Sequence, residues 1–289
     1  MRTGMYVVGL CCLLAATCLQ AAASDAVVVV DDRGESIVIE QVPQRIVAIG
    51  AFYAQVVVDL AAVSRLVGVA DSPENPAEAD GLPSVGPSYA PSVETILSLE
   101  PELVLGATDW GGERPALEAA GILVLTTPLM TSIPDVLSTI RTIGSAIGSA
   151  NEADTLIGDI AEAVVSLESS VLGIPNVRCA FLYPPSLGTP PYVAGAGTIE
   201  NELILRAGGG NVFCDVTGFP QVNFEDLLSR DPEIIFTAPS QVAYITDDPL
   251  LQEMAAVRSG RVFGIEAGRA ASSALAYVLT EMVTMVHPE

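Results

Sequence analysis

Two stretches of this 289-residue chain repeat one another, and together they decide its fold. Residues 92–105 read SVETILSLEPELVL, and residues 223–236 read NFEDLLSRDPEIIF. The stretches align without a gap, and one constant offset pairs Glu94 with Glu225. Each copy predicts a short helix, a turn at an acidic residue followed by proline, and a buried strand. An internal repeat of this kind predicts two similar α/β units in one chain.

Short apolar strands alternate with helical segments on both sides of the repeats. A β-hairpin is predicted at residues 27–31 and 37–40, and further strands are predicted at residues 45–50, 66–70, 102–106, 122–126, 178–183, 233–237 and 261–265. Helices are predicted at residues 53–62, 198–207, 223–229 and 270–286. Strands and helices that alternate with short connections predict mostly parallel sheets flanked by helices.

A long helical pattern separates the two halves. It runs from Ile133 to about Leu172, with Pro134 near its start and the sequence GIPN at 173–176 after its end. The predicted fold is therefore α/β, with two similar lobes joined by one long α-helix. The predicted divisions are residues 24–132 for the N-terminal lobe, 133–175 for the linking helical region and 176–289 for the C-terminal lobe.

Residues 1–23 have the order of a secretory signal peptide. A positive start at Arg2 precedes an apolar run and a small-residue site that ends at Ala23. The apolar run is shorter than the roughly 20 residues that span a bilayer, so cleavage is predicted over a retained anchor. A less favoured alternative is a lipoprotein anchored through Cys18, because Thr17 fits that processing pattern poorly. Both alternatives place the protein in the periplasm or otherwise outside the cytoplasm.

The charge of the chain argues against some partners. There are 35 acidic and 12 basic residues, every basic residue is arginine, and the formal net charge is −23. Such a surface repels nucleic acid and anionic lipid headgroups. The carboxylates are scattered rather than grouped, which predicts a solvated acidic surface and not a site for a specific cation.

The cysteines and the histidine indicate at most one disulfide and no metal site. Cys179 and Cys214 remain after signal cleavage, and they form either one disulfide or two buried thiols, since sequence alone does not give the distance between them. The single histidine, His287, and the lack of a cysteine or carboxylate cluster at ligand spacing predict no metal site.

No motif of an enzyme is present in the sequence. A nucleophile elbow, a phosphate-binding loop of the G-x-x-x-x-G-K-[ST] type and a histidine for a catalytic triad are all missing. The three glycines at 208–210 follow a predicted helix, so they predict its C-terminus rather than a phosphate cradle. A chelatase or hydrolase of similar shape is therefore not predicted.

The order of several short motifs resembles the class III periplasmic binding proteins, the family that serves vitamin B12, iron-siderophore and haem uptake. The motifs are PQRIV at 43–47, LVGV at 66–69, LPSVG at 82–86, YVAG at 192–195, AGGGN at 207–211 and GFPQV at 218–222. The resemblance covers nearly all of the chain after the signal. It implies two α/β lobes with the ligand in the cleft between them. It also implies that a monomer captures a small molecule for an ABC transporter.

The resemblance also implies a role for the repeated glutamates. In the family, one glutamate at the tip of each lobe docks on arginines of the two permease subunits, and Glu94 and Glu225 occupy the matching positions. Two similar charges far apart on one face can orient a protein on a twofold-symmetric partner. The alternative is that each is a first-turn acid that the helix dipole stabilises.

The cleft residues follow from the rule that ligands bind at the carboxyl ends of parallel strands. Loops at those ends contain aromatic residues and one arginine. The predicted ligand-binding residues are Phe52, Tyr53, Tyr89, Trp110, Tyr183, Tyr192, Phe219, Tyr244 and Arg269. An aromatic cleft with few charges suits a large, flat, partly apolar ligand. No cofactor is expected besides this ligand, which is itself a metal-containing chelate or a corrinoid.

Among such ligands a corrinoid is favoured. A strongly anionic ferric citrate or catecholate would call for several arginines, and only Arg114 and Arg269 lie in suitable loops. Haem would need an axial ligand such as Tyr89 or Tyr53. However, the Tyr-x-Arg arrangement expected of haem binders is replaced here by Tyr-Ala-Pro at residues 89–91. A haem binder of the same family and a sensor or receptor module that uses the same cleft remain alternatives.

Overall fold

The computed structural model describes residues 26–107, 112–268, 272 and 274–288. The predicted signal peptide, Cys18, Trp110 and Arg269 lie outside these residues. Within the described ranges, no helix is both long and apolar enough to cross a membrane.

The first lobe follows the predicted alternation. An antiparallel hairpin, β1 Val27–Val30 and β2 Ser36–Ile39, opens it. The elements that follow are β3 Ile46–Ile49, α1 Ala51–Asp59, β4 Leu66–Asp71, β5 Ser84–Pro87, α2 Val93–Ser98, β6 Leu103–Ala107, α3 Glu113–Ala119 and β7 Leu123–Thr127. The sheet order is β5-β4-β3-β6-β7, and all neighbouring pairs are parallel. Strand β5 was not predicted, because it contains glycine and proline and lies at the edge of the sheet, where proline is tolerated.

The central strands of this sheet are buried on both faces. Leu103 and Leu105 of β6 join one apolar cluster, and Val104 between them joins another. All three side chains are fully buried. Because side chains alternate across a strand, helices must cover both faces of such a sheet. Within the strands of this sheet, polar side chains therefore lie at or beside the strand ends.

The region between the lobes contains two helices where one was predicted. Helix α4 is Ile133–Ala146 and helix α5 is Ala150–Val171. The break lies at Gly148, whose φ of 71° is left-handed and allows the chain to turn. Helix α4 packs on α1 and β1 of the first lobe, whereas α5 continues towards the second lobe. The 22-residue helix α5 is therefore the connection between the lobes.

The second lobe repeats the architecture. Its elements are β8 Val177–Tyr183, β9 Tyr192–Val193, α6 Ile199–Arg206, β10 Gly209–Asn211, α7 Phe224–Arg230, β11 Ile234–Thr237, α8 Val242–Thr246, α9 Ala255–Arg258, β12 Val262–Gly264 and α10 Leu275–Val286. The order β10-β8-β11-β12 is parallel, and β9 pairs antiparallel with β8. Helix α10 packs on α5 and α6, so the final helix ties the lobe to the connection.

The glycines at 208–210 serve two purposes, of which one was predicted. Gly208, with a φ of 76°, follows Ala207, the C-cap of α6, and ends that helix as expected. Gly209 instead begins the edge strand β10, which was missed. A Cβ at Gly209 would lie 2.9 Å from the Sγ of Cys179, so glycine allows β10 to lie this close to its neighbour.

Of the two alternatives for the cysteines, the structure does not contain the disulfide, and the two side chains occupy different environments. Cys179 is buried in β8, Cys214 is exposed, and both are free thiols. Burial raises the pKa of Cys179 to about 12, so its thiol stays protonated. The alternative of two buried thiols is correct for Cys179 and wrong for Cys214.

A buried ion pair fastens the hairpin to the first sheet. The guanidinium of Arg114 on α3 lies 2.6 Å from the Oδ2 of Asp31, and both side chains are almost fully buried. Asp31 also accepts hydrogen bonds from the backbone N–H groups of Arg33 and Glu35, each at 2.9 Å. Burial raises the pKa of Asp31, but the hydrogen bonds from Arg114, Glu35 and Arg33 outweigh it and hold the pKa at about 2.

We expect Asp31→Asn to lower the free energy of unfolding by about 2 kcal/mol at pH 7, because it removes the charge that Arg114 faces. The folded pKa lies below the ordinary value of 3.8, so the stabilisation is present above pH 4 and is lost as the pH falls towards 2. Urea denaturation at pH 7, 5 and 3 measures the difference between variant and wild type. That difference should shrink at the lowest pH.

Glu35→Gln is the matched control, since Glu35 pairs with Arg33 through a side chain that is 64% exposed. A surface pair of this kind contributes roughly 0.5 kcal/mol or less. A loss in Asp31→Asn that stayed constant from pH 7 to pH 3 would show that packing, and not charge, links the hairpin to the lobe.

Candidate functional site

A cavity of about 480 Å³ opens at the carboxyl edge of the first sheet. Its floor is apolar and consists of Ile49, Leu117, Val104, Val124 and Met130. Gly268, in the segment that follows β12, contributes to the wall from the second lobe. The volume lies in the range of roughly 300 to 1,000 Å³ that small-molecule sites occupy. The cavity therefore lies where the two lobes meet, with most of its wall in the first lobe.

Three of the predicted aromatic residues line this cavity: Phe52, Tyr53 and Tyr89. Tyr53 is buried, its hydroxyl is 2.7 Å from the Oγ1 of Thr127, and its ring packs edge-on against Phe52. Burial raises the pKa of Tyr53, so its phenol remains neutral. Tyr89 differs, because 68% of it is exposed on the loop after β5. Among the aromatic residues of the described lining, Tyr89 is thus the most exposed.

The four predicted aromatic residues of the second lobe do not line this cavity. Tyr183 at the end of β8 packs edge-on against Phe219 and pairs with Tyr192 across β8 and β9. Tyr244 lies on α8 and is 37% exposed. Contact of these four residues with a ligand stays a prediction, as it does for Trp110 and Arg269.

A buried carboxyl near Tyr183 was missed from the sequence. Glu200 on α6 is 6% exposed and accepts a hydrogen bond of 2.7 Å from the hydroxyl of Tyr183. Its other oxygen, Oε2, is buried without a hydrogen-bond partner among the described residues. Burial raises the pKa of Glu200, which favours the neutral acid. In sequence it was indistinguishable from a first-turn acid that interacts with the helix dipole.

The lobes touch beside the cavity. Ala51, Phe52 and Gln55 of α1 face Gly268 and Ser272 of the second lobe across a small gap. A Cβ at position 268 would lie 2.5 Å from the Oε2 of Glu74, so a side chain there would require the end of the Glu74 side chain to move. The charge of Glu74 also contributes to the raised pKa of Tyr183, after burial and Glu200. Glu74 therefore lies at the contact between the lobes.

Charged groups around the cavity are mostly acidic. Asp71, Glu74, Glu113 and Arg114 are the charged members of its described lining. The side chain of Arg114, considered above as a partner for an anionic ligand, is 5% exposed and is bound to Asp31 and Glu118. Arg114 is therefore already neutralised by the protein. Asp71 and Glu113 were missed, because a carboxylate in a predicted loop is typical of ordinary solvated surface.

The repeated glutamates occupy equivalent exposed positions. Glu94 and Glu225 are the second residues of α2 and α7, and the side chains of Ser92 and Asn223 cap the two helices. An exposed leucine follows each glutamate three residues later, at Leu97 and Leu228, and each leucine is 38% exposed. The internal repeat is therefore also a repeat of surface chemistry.

The geometry around both glutamates is repeated in the backbone as well. Arg45 donates to the carbonyl of Leu99 at the end of α2, and Arg178 donates to the equivalent carbonyl of Arg230 at the end of α7. The next turn contains a left-handed residue in each lobe, Glu100 and Asp231. Each glutamate is therefore carried on the same rigid helix–turn–strand unit.

Comparison with known proteins agrees with this architecture. Residues 46–267 match the family model described as periplasmic binding protein. A cobalamin-binding protein of Halobacterium salinarum is 27% identical over 221 residues, which are 73% of this chain and 58% of that protein. An ABC transporter substrate-binding lipoprotein of Bacillus subtilis is 26% identical over 246 residues, 83% of this chain and 78% of that protein. The chain thus spans somewhat over half the length of its Halobacterium relative.

Solved structures show the same fold. The apo form of the periplasmic haem-binding protein RhuT from Roseiflexus sp. RS-1 aligns with a TM-score of 0.78 at 23% identity. The alignment covers 84% of this chain and 97% of that structure. With the match across both lobes and the cavity where they meet, the chain belongs to the periplasmic binding protein family, which consists of substrate-binding proteins.

Proposed function

We propose that this chain is the extracytoplasmic substrate-binding component of an ABC importer, and that it delivers a corrinoid or an iron chelate to the permease. The observation that carries the proposal is the apolar-floored cavity at the meeting of the two lobes. A relative that is named a cobalamin-binding protein points to a corrinoid. Signal cleavage after Ala23 would release the protein in soluble form, and the lipoprotein relative keeps the anchor through Cys18 as the second alternative.

A corrinoid explains the aromatic groups better than haem does. Haem needs an axial ligand, and Tyr53 is a poor one because its hydroxyl is buried against Thr127 and its pKa is raised by burial. Tyr89 is exposed and remains the candidate axial ligand for a haem alternative. A corrin ring requires no tyrosinate, and it can stack its apolar face on Tyr89 and the floor of the cavity.

Delivery to the permease rests on Glu94 and Glu225. Both side chains are exposed, they occupy equivalent positions in the two lobes, and each has an exposed leucine one turn away. Arginines of two permease subunits would meet the two carboxylates, while the leucines would bury apolar surface at the same contacts. The monomer would thus present two like patches to a partner with twofold symmetry.

Thermal unfolding of the protein from residue 24 onwards tests the ligand. Cobalamin at 100 times its dissociation constant stabilises a folded binder by about 2.7 kcal/mol, which raises Tm by roughly 5 to 10 °C for a chain of this size. Tyr89→Ala should weaken binding roughly tenfold, because it removes the exposed ring at the mouth. Tyr277→Ala, which removes an exposed ring on α10 away from the cavity lining, is the matched control and should bind like wild type. Absence of a shift with cobalamin, cobinamide, haem and ferric siderophores would contradict the proposal.

Docking is tested in proteoliposomes that contain the ABC permease. We expect Glu94→Gln with Glu225→Gln to weaken association with the permease at least tenfold, about 1.4 kcal/mol, and to leave ligand affinity unchanged. Glu162→Gln on the exposed side of α5 is the control. If the double variant docks like wild type but loses stability, the two glutamates serve only the helix dipoles, at roughly 0.3 to 1 kcal/mol each.

A further inference from the structure

The charges around the cavity indicate which class of ligand it binds. This inference rests on the proposed function. We propose that the cavity selects a metal complex with an apolar face and no net negative charge, and that it rejects polyanionic chelates. The class includes corrins with amide side chains and neutral ferric hydroxamates. Haem with two propionates, ferric citrate and ferric catecholates fall outside it.

The described wall of the cavity contains more carboxylates than guanidinium groups. The described lining contains three carboxylates, Asp71, Glu74 and Glu113, and one guanidinium, Arg114. Asp71 is exposed at the end of β4, Glu113 is half-buried at the start of α3, and Glu74 is half-buried against Gly268. The wall is therefore net negative before Arg114 is assigned to any partner.

Arg114 cannot pair with an anionic ligand without breaking its buried contacts within the protein. Its Nη2 is 2.6 Å from Asp31 and its Nε is 2.7 Å from Glu118, and its Nη1 donates to the hydroxyl of Thr126. Asp31 has no exposed side-chain surface, so removal of Arg114 would leave this buried carboxylate with only the 42% exposed Arg33 as its ionic partner. The arginine supports the cavity wall and does not supply positive charge to it.

In sequence, the segments next to the described lining add no net charge. The sequence contributes one aspartate in residues 108–111 and one arginine in residues 269–271. These two formal charges cancel, so the sum over the described lining remains three carboxylates and one guanidinium. An anionic ligand would thus have to bring its charge towards an acidic wall above an apolar floor, which offers little solvation.

The charges of the cavity wall and the net charge of the whole surface act over different distances. The chain carries a formal net charge of −23, which repels anions at long range. At physiological ionic strength that repulsion is screened beyond about 8 Å, whereas charges inside a partly enclosed cavity are screened less. A preference that comes from the cavity should therefore persist in salt, and one that comes from the general surface should not.

Two pairs of ligands with matched shape and different charge test the proposal. The first is cobinamide, whose corrin side chains are amides, against cobyrinic acid, the same ring with free carboxylates. The second is a neutral ferric trihydroxamate against an anionic ferric tricatecholate. We expect the uncharged or cationic member of a pair that binds to bind at least tenfold more tightly, at both 0.15 M and 0.5 M salt. The double variant Asp71→Asn with Glu113→Gln should narrow the ratio by at least threefold.

Glu162→Gln is the control variant and should keep the wild-type ratio, and the thermal stability of each variant shows whether it folds. Equal or tighter binding of the anionic member would overturn the inference and leave the substrate-binding function intact. The inference would also be overturned if the ratio of the two affinities fell to about one at 0.5 M salt, or if it were unchanged in the double variant. In either case the carboxylates of the cavity wall would not be the cause of the preference. If no ligand of either pair binds, and haem and cobalamin also fail, the proposed function itself is wrong and the inference falls with it.

Discussion

Burial of both faces of the central strands constrains everything else in this protein. Val104 in β6 contacts one apolar cluster while Leu103 and Leu105 contact another, and all three are fully buried. A strand in this position cannot carry polar side chains along its length, because each would need a buried partner. Polar and charged groups consequently gather where strands end, and that edge is where the cavity lies. The same pressure acts on β8 and β11 of the second lobe, whose interior residues are also fully buried.

The connection between the lobes is part of the core rather than a free linker. One continuous cluster of buried side chains runs from the hairpin through α4 and α5 to α10. Separation of the lobes would expose apolar surface of these helices at roughly 25 cal/mol for each Å². The contact of Glu74 with Gly268 shows how closely the loops of the two lobes approach beside the cavity.

Charge is used differently in three places. Buried charge is neutralised within the protein, as in the pair of Arg114 and Asp31 that joins the hairpin to the sheet. Exposed charge is repeated between the lobes at Glu94 and Glu225, at equivalent positions of α2 and α7. Cavity charge is acidic and lies above an apolar floor, where it acts at short range on whatever enters. The formal net charge of −23 does not distinguish these three groups of charges.

The order of the elements was determined by the sequence alone. The internal repeat and the alternation of apolar strands with helices predicted both sheets, and the strand-end rule placed Phe52, Tyr53 and Tyr89 at the cavity. Such features are local or periodic, so they are visible in one dimension. The exceptions were short: the edge strands β5 and β10, which contain glycine, strand β9 and helices α3, α8 and α9 were not predicted, and Gly148 divided the predicted linking helix.

Which polar groups meet was decided only by the tertiary structure. Arg114 was available to a ligand by its sequence position, yet it is occupied by Asp31, a residue 83 positions away. Glu200 was an ordinary helix acid until the fold buried it against Tyr183, and Asp71 and Glu113 became a common wall only when β4 and α3 were brought to one edge. Charge interactions depend on distance in space and on burial, and neither is encoded in local spacing along the chain.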